Sequence, residues 1–337
     1  MKEKNYSLEF YRTVFTVTIC LYHAQYLDPK LEILKNAYLC VEFFFMLSGY
    51  LLYQSFMKET EHHTLTYAAR RFTRLWPEYI YAAVIAILGR GVFLHDFNVN
   101  KALNEVLMVQ NTGLFHYGGY NYPCWYIPVM LFCGILIYSI LSLYPDAFIK
   151  LFAPLAILLG YTYFGGLETG LENWQYVGMF SVPMIRGFIA MSLGVLIGAA
   201  ANKENAIKLG KVTGTIAEIT LLMLIGLSIF TEFFSEMVAV ISFALLILIT
   251  AKQQGFISSK IINHRVWSIT GSYSYAVYLN HAMVAYLLSY IDKHLFRIPV
   301  KPVIFLIVLL AYSVCTHLLI QYIVSRINKK ARRNANA

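Results

Sequence analysis

Charge is what this chain has least of. Only 13% of its 337 residues are Asp, Glu, Lys or Arg, about half the ~25% of an ordinary soluble domain. No stretch between its apolar blocks is polar and long enough to fold by itself in water, so one membrane domain over 1–337 is expected. Paired cysteines are lacking too. Cys20, Cys40, Cys124, Cys133 and Cys315 fall in or beside apolar segments with neither CxxC nor metal-ligand spacing. That excludes a redox or zinc motif and makes them small packing residues, with no metal expected. No cleavable leader is expected: the first apolar segment carries Arg12 and His23, and no small-residue cleavage site follows. It is expected to remain as the first helix.

What the chain has in excess is apolar sequence, 58% of its residues, arranged in blocks of about 20, the length that spans ~30 Å of hydrocarbon. In lipid such blocks must be helical, because no water is there to satisfy open backbone groups. The expected fold is all-α: a polytopic integral membrane bundle of about ten transmembrane helices. Their places are near 7–27, 37–57, 75–94, 124–144, 149–165, 177–201, 212–231, 235–251, 267–291 and 302–325.

Orientation follows from the basic residues of the connections. With the N-terminus inside, eighteen of the 27 Lys and Arg fall on the inner side and seven on the outer, Arg12 and Arg186 remaining within helices. Positive residues favour the cytoplasmic side, so both termini are expected in the cytoplasm, with 326–337 as a basic tail and a bacterial-type inner membrane as the location. The net charge of +9 is read as topology and not as affinity for nucleic acid; the bilayer is the expected partner. The longest connection, 95–123, then lies outside. Its Gln110-Asn111-Thr112, His116, Gly118-Gly119, Asn121 and Tyr122 would suit a sugar, and suit an ordered lid or spacer equally well.

Arg12 and His23 are the most informative pair. Eleven residues of helix correspond to about 1100°, three turns plus ~20°, so both project from one face ~16 Å apart along the axis. Ionisable groups inside a span are functional candidates because their burial is costly. Position alone is equally compatible with Arg12 snorkelling inward and His23 resting at the outer interface. Glu9, one turn before Arg12, can pair with it at i,i+3. Glu42 in CVEFFFMLSGYLL needs a partner or a wet cavity, and Ser48-Gly49 reads as a packing notch or a ligand contact. In the inner loop AARRFTRLWP, topology alone accounts for three arginines, yet Arg71 and Arg74 at a helix entrance are placed to grip a phosphate together. Arg186 lies ~13 Å into its helix and calls for a carboxylate or a polar cavity. Ser274, Tyr278 and His281 share one face of the ninth segment.

These elements resemble the acyltransferase 3 family of membrane acyltransferases over about residues 6–290. The first helix, LEFYRTVFTVTICLYH, is similar to the family's acidic-x-x-Arg start and Arg-x10-His pattern at Glu9, Arg12 and His23. EFFFMLSGYLL resembles the Phe-Phe-x-x-Ser-Gly signature at Phe44, Phe45, Ser48 and Gly49. RRFTRLWP resembles Arg-x-x-Arg-x-x-Pro at Arg71, Arg74 and Pro77. GSYSYAVYLNHAMV resembles the late Gly-x-x-Ser-Tyr-x-x-Tyr-Leu-x-His pattern at Gly271, Ser274, Tyr275, Tyr278, Leu279 and His281. One departure stands out: five residues after Trp125, where many members carry Glu, this chain has Met130.

The resemblance implies O-acyl transfer, with acetyl the favoured group, from acyl-CoA to a hydroxyl of a cell-surface glycan or lipid-linked sugar. Acyl-CoA is then a co-substrate, and no permanently bound cofactor is expected. In that reading Arg71 and Arg74 hold the CoA phosphates, His23 is general base, and Glu9 and Arg12 organise the cavity. Glu42, Ser48, Arg186, Ser274, Tyr278 and His281 are the other candidate cavity residues. Alternatives are a covalent acyl relay on His23, Ser48 or a cavity tyrosine, and a transporter or flippase of an acylated or lipid-linked sugar. Against the latter, no internal repeat is visible.

Overall fold

Long apolar blocks satisfy their backbone in hydrocarbon as helices, and helix is what most of this chain forms. The computed structural model describes residues 5–27, 34–92, 94–114, 118–177, 180–203, 208–296 and 301–335. His116 lies outside them, as do Lys2, Lys4, Lys30 and Arg297 among the basic residues counted for orientation. In chain order the helices are α1 (Ser7–His23), α2 (Cys40–Phe56), α3 (Thr64–Ala86), α4 (Val99–Val106), α5 (Tyr126–Leu143), α6 (Pro145–Ala147) and α7 (Ala153–Gly165). There follow α8 (Val182–Asn202), α9 (Lys211–Phe230), α10 (Glu236–Ala251), α11 (Val266–Ile291) and α12 (Pro302–Ala335). A π-helical turn joins α6 and α7 into one span, Pro145–Gly165. Among the described residues the only strands are the two-residue pair Tyr176–Val177 and Phe180–Ser181.

Six helices are long and apolar enough to cross a membrane: Ala37–Phe56, Tyr122–Leu143, Pro145–Gly165, Val182–Asn202, Lys211–Phe230 and Pro302–Lys330. The other four of the expected ten are α1, α3, α10 and α11. The apolar α10 has only 16 residues, while α1, α3 and α11 are diluted by polar side chains. Within the six, burial separates an inner group from an outer one. The α2, α5 and α8 spans are 67%, 56% and 61% buried, against 22%, 33% and 28% for those of α7, α9 and α12. The inner three form the frame and the outer three turn a face to lipid.

Several boundaries differ from expectation. α3 begins at Thr64, so Arg70 to Pro77 are helical and not an inner loop. Pro77 sits within the helix interior; its lost N–H and ring clash disfavour such a site, which is why the stretch looks like a boundary. The 95–123 connection contains α4, whose start is capped by the Asn98 side chain accepting from the Lys101 N–H at 3.1 Å. The basic tail continues α12 as helix to Ala335.

The closest crossing is α2 on α8. A Cβ at Gly49 would lie 2.0 Å from the Met191 carbonyl oxygen, and one at Gly194 2.0 Å from that of Met46. Each glycine therefore admits the other helix's backbone, a small-residue device common between membrane helices. The Gly49 half of Ser48-Gly49 is thus a packing notch. At another edge, Cys20, Ala24, Val284, Ala285, Leu288, Phe305 and Leu309 bind α1, α11 and α12 in an apolar cluster.

Candidate functional site

Two of the candidate charges find each other. Arg186 on α8 donates from Nε to Glu42 Oε1 on α2 at 2.5 Å, from Nη1 to the Leu171 carbonyl at 3.0 Å and from Nη2 to that of Tyr38 at 3.2 Å. The second Glu42 oxygen accepts from the Tyr161 hydroxyl at 2.9 Å. Both side chains are buried, and neither lines the main cavity. A buried ion pair repays desolvation only when its other polar atoms are also partnered, and here all three guanidinium nitrogens and both carboxylate oxygens have a partner.

The main cavity, about 460 Å³, lies between α1, α2, α3, α5, α11 and α12 and gathers Glu9, Arg12, Ser48, Arg71, Arg74, Ser274 and Tyr278 in its wall. Glu9 Oε2 receives Arg12 Nη1 at 2.9 Å, the pairing that i,i+3 spacing allows. That carboxylate rests on Gly271, where a Cβ would come within 2.1 Å of Oε2, so α11 needs glycine there. Ser48 Oγ lies 3.1 Å from the Tyr126 hydroxyl and donates to Met130 Sδ at 3.3 Å. Met130 thus puts a neutral thioether into the wall.

The three arginines of α3 divide by face. Arg70 is spent outside the cavity on Glu59, which also accepts from the Tyr138 hydroxyl at 2.5 Å. Burial works to raise the Glu59 pKa, but the hydrogen bonds from Tyr138 and Arg70 outweigh it and hold the carboxyl below its ordinary value. Arg71 and Arg74 line the cavity, and among the described residues neither is within ion-pairing distance of a carboxylate. Arg71 lies over the Tyr67 ring at 5.4 Å.

His23 closes α1 just past the other end of the cavity. It is not in the cavity wall; Ile19, one turn earlier on α1, and Tyr278 on α11 are. His23 Nδ1 is 2.8 Å from the Tyr122 hydroxyl, leaving Nε2 without a protein partner among the described residues. Its ring stacks on His281 at 5.1 Å. His281 Nδ1 donates to the Tyr278 carbonyl at 2.5 Å, which fixes the hydrogen on that nitrogen, and its buried Nε2 has no partner among the described residues. The Tyr278 hydroxyl donates to the Pro123 carbonyl.

Residues not foreseen complete the arrangement. Buried Glu105 on α4 accepts from the Tyr120 and Asn121 backbone N–H groups at 2.5 and 3.2 Å, and Asn121 donates to the Leu279 carbonyl at 2.8 Å. This clamp delivers Tyr122 to His23. Burial pushes the Glu105 pKa up to about 7, against the pull of those N–H groups and of Arg90. Glu78 and His317 also entered the cavity wall unannounced. For Glu78 the signal was its place four residues after Arg74 and seven after Arg71, on the same helical face.

Two arginines in the wall of a cavity and an imidazole beyond its far end thus lie within one helical bundle. A family model described as an acyltransferase domain, that of acyltransferase 3, matches residues 5–322; the chain belongs to this family and is a multi-pass membrane acyltransferase. No curated protein and no solved structure matches it.

Proposed function

We propose that the protein transfers an acyl group, acetyl in the simplest case, from acyl-CoA to a hydroxyl of a cell-surface glycan or lipid-linked sugar. The observation that carries this reading is the pairing of two arginines without a carboxylate partner among the described residues, at one end of the cavity, with a His23 Nε2 left open beyond the other. Arg71 and Arg74 bind the CoA phosphates with charge-assisted hydrogen bonds. The pantetheine arm runs up the cavity and brings the thioester to Ile19 and Tyr278, one turn below the histidines. His23 Nε2 takes the proton of the acceptor hydroxyl, whose oxygen attacks the thioester carbonyl. The C–S bond breaks, and the CoA thiolate takes the proton back from the imidazolium. Tyr122, at Nδ1, holds the ring in place, and the Glu9–Arg12 pair shapes the field below it.

In this reading about ten helices span the inner membrane, both termini are cytoplasmic, Arg71 and Arg74 face the compartment that holds CoA, and His23 faces the glycan side. Sealed vesicles of known orientation test it. Acetyl-CoA supplied on the Arg71 side is expected to label an impermeant acceptor on the opposite side. A single cysteine in the 95–123 loop, on a background lacking the native ones, reports the side of that loop. An external loop combined with transfer that needs both substrates inside would leave the topology standing and remove transmembrane transfer.

A further inference from the structure

Below the histidine pair, the α3 wall carries a third charged residue on the same stripe as Arg71 and Arg74. Glu78, one turn deeper than Arg74, is 8% exposed. Its Oε1 is 2.7 Å from His317 Nδ1 on α12 and 3.5 Å from Gln321 Nε2, and its Oε2 is buried without a partner among the described residues. A carboxylate kept dry with one oxygen unsatisfied is a standing cost to the fold. Nothing in the cationic grip or the histidine pair requires it.

The beneficiary is His317. Its ring meets Tyr273 edge-on at 4.9 Å and lines the cavity. With Nδ1 taken up by Glu78, Nε2 is the ring nitrogen left to the cavity, and it has no partner among the described residues. Ser268 and Ser272 of α11 line the same side, whereas Val41, Phe44, Leu47 and Ile127 make the opposite wall apolar. One flank of the cavity is therefore polar and largely uncharged, ~6 Å deeper than Arg74 by helical rise.

We infer that His317, oriented by Glu78, is the binding residue for the hydroxyl and amide groups of the pantetheine arm. This rests on the acyl-CoA reading. In such a donor the groups that follow the phosphates are a hydroxyl and two amides, and these supply the O–H and N–H that Nε2 accepts. Glu78 is a positioning residue and touches no substrate.

Equilibrium binding to the purified full-length protein tests this without an acceptor, with three probes: CoA, 4′-phosphopantetheine and 3′,5′-ADP. His317→Asn keeps an amide N–H for Glu78 in place of Nδ1–H but lacks Nε2, so it spares the wall. It is expected to weaken CoA and phosphopantetheine by about three- to tenfold, the scale of one neutral hydrogen bond, and to leave 3′,5′-ADP unchanged. Glu78→Gln is expected to repeat the pattern with a smaller loss, and His317→Gln to recover part of it. Unchanged CoA affinity in His317→Asn, or an equal loss for 3′,5′-ADP, overturns the assignment of His317 alone. Failure of the wild-type protein to bind CoA or either fragment overturns the donor reading, and this inference with it.

Discussion

The molecule holds two clusters of charge, one buried and one opening to the cavity, that are built to opposite rules. Around Glu42 and Arg186 the guanidinium has three acceptors, and each carboxylate oxygen has a donor. Around Arg71, Arg74, Glu78 and His317 there are two cations without a carboxylate, a carboxylate oxygen without a donor and a ring nitrogen left to the cavity. Saturated charge holds helices together, and unsaturated charge waits for a ligand. Position within a span, the usual reason for suspecting an ionisable residue, does not separate the two. Counting the hydrogen bonds does.

The largest expected break lies on the open side. His23→Ala should lower turnover by ~10²–10⁴-fold, the range of a general base, with thermal stability and CoA binding nearly unchanged. Turnover within a few-fold of wild type would remove His23 from the chemistry. On the closed side the effect should move to stability. Arg186→Ala leaves Glu42 buried and unpaired, a loss of about 3–5 kcal/mol readable in denaturant or thermal unfolding of the detergent-solubilised protein. The apolar pair Glu42→Leu with Arg186→Met should recover most of it. If Arg186→Ala instead unfolds normally and loses only substrate binding, the comparison fails.

Between these stand the arginines of the grip. Arg71→Ala and Arg74→Ala should each raise donor KM by roughly tenfold to more than a hundredfold, for the ~1.5–3 kcal/mol of a charge-assisted bond, with little change in kcat at saturating donor. Lys in either place should restore only part, lacking the two-pronged fork. Equal KM in both Ala variants would reduce these arginines to markers of topology.

The smallest effect belongs to Glu105, whose Oε2 accepts two N–H groups while its Oε1 has none among the described residues. A folded pKa of about 7 lies above the unfolded value of ~4.3. Its contribution is therefore full below ~4.3 and is lost as pH rises to about 7. Going from pH 6 to 8 crosses only the last unit, worth about 1.4 kcal/mol or tenfold in opening. Hydrogen exchange around Tyr120 and Asn121, corrected for its intrinsic pH dependence, should quicken by that factor. Glu105→Gln should flatten the response. Equal slopes in both proteins would show that the clamp is indifferent to this proton.

What could be read before the structure was whatever lies within one helix. The i,i+3 pairing of Glu9 with Arg12, the shared face of Arg71 and Arg74 and that of Ser274 with Tyr278 are local periodicities, and these residues do meet in one cavity. What could not be read is which helices face each other. Glu42 meets Arg186 across 144 residues, Glu78 meets His317 across 239, and His23 meets Tyr122 across 99. Periodicity has nothing to say at such separations. Hydropathy misleads in a patterned way: α1, α3 and α11 fall short as spans because their polar residues turn inward to the cavity. α3 was misjudged at its start for the same reason, since four arginine and proline positions in eight residues look like solvent-facing chain.

The contact of α2 with α8 has a mechanical consequence. Where Gly49 and Gly194 seat backbone on backbone, there is no side-chain rotamer to yield and no gap to close. That seam is the stator of the machine. In the proposed reaction, any breathing that lets a bulky sugar reach His23, or lets spent CoA leave past Arg71, must come from the walls that meet through side chains, α1, α3, α11 and α12. Among these α12, with most of its span turned to lipid, is the one with fewest neighbours to drag along.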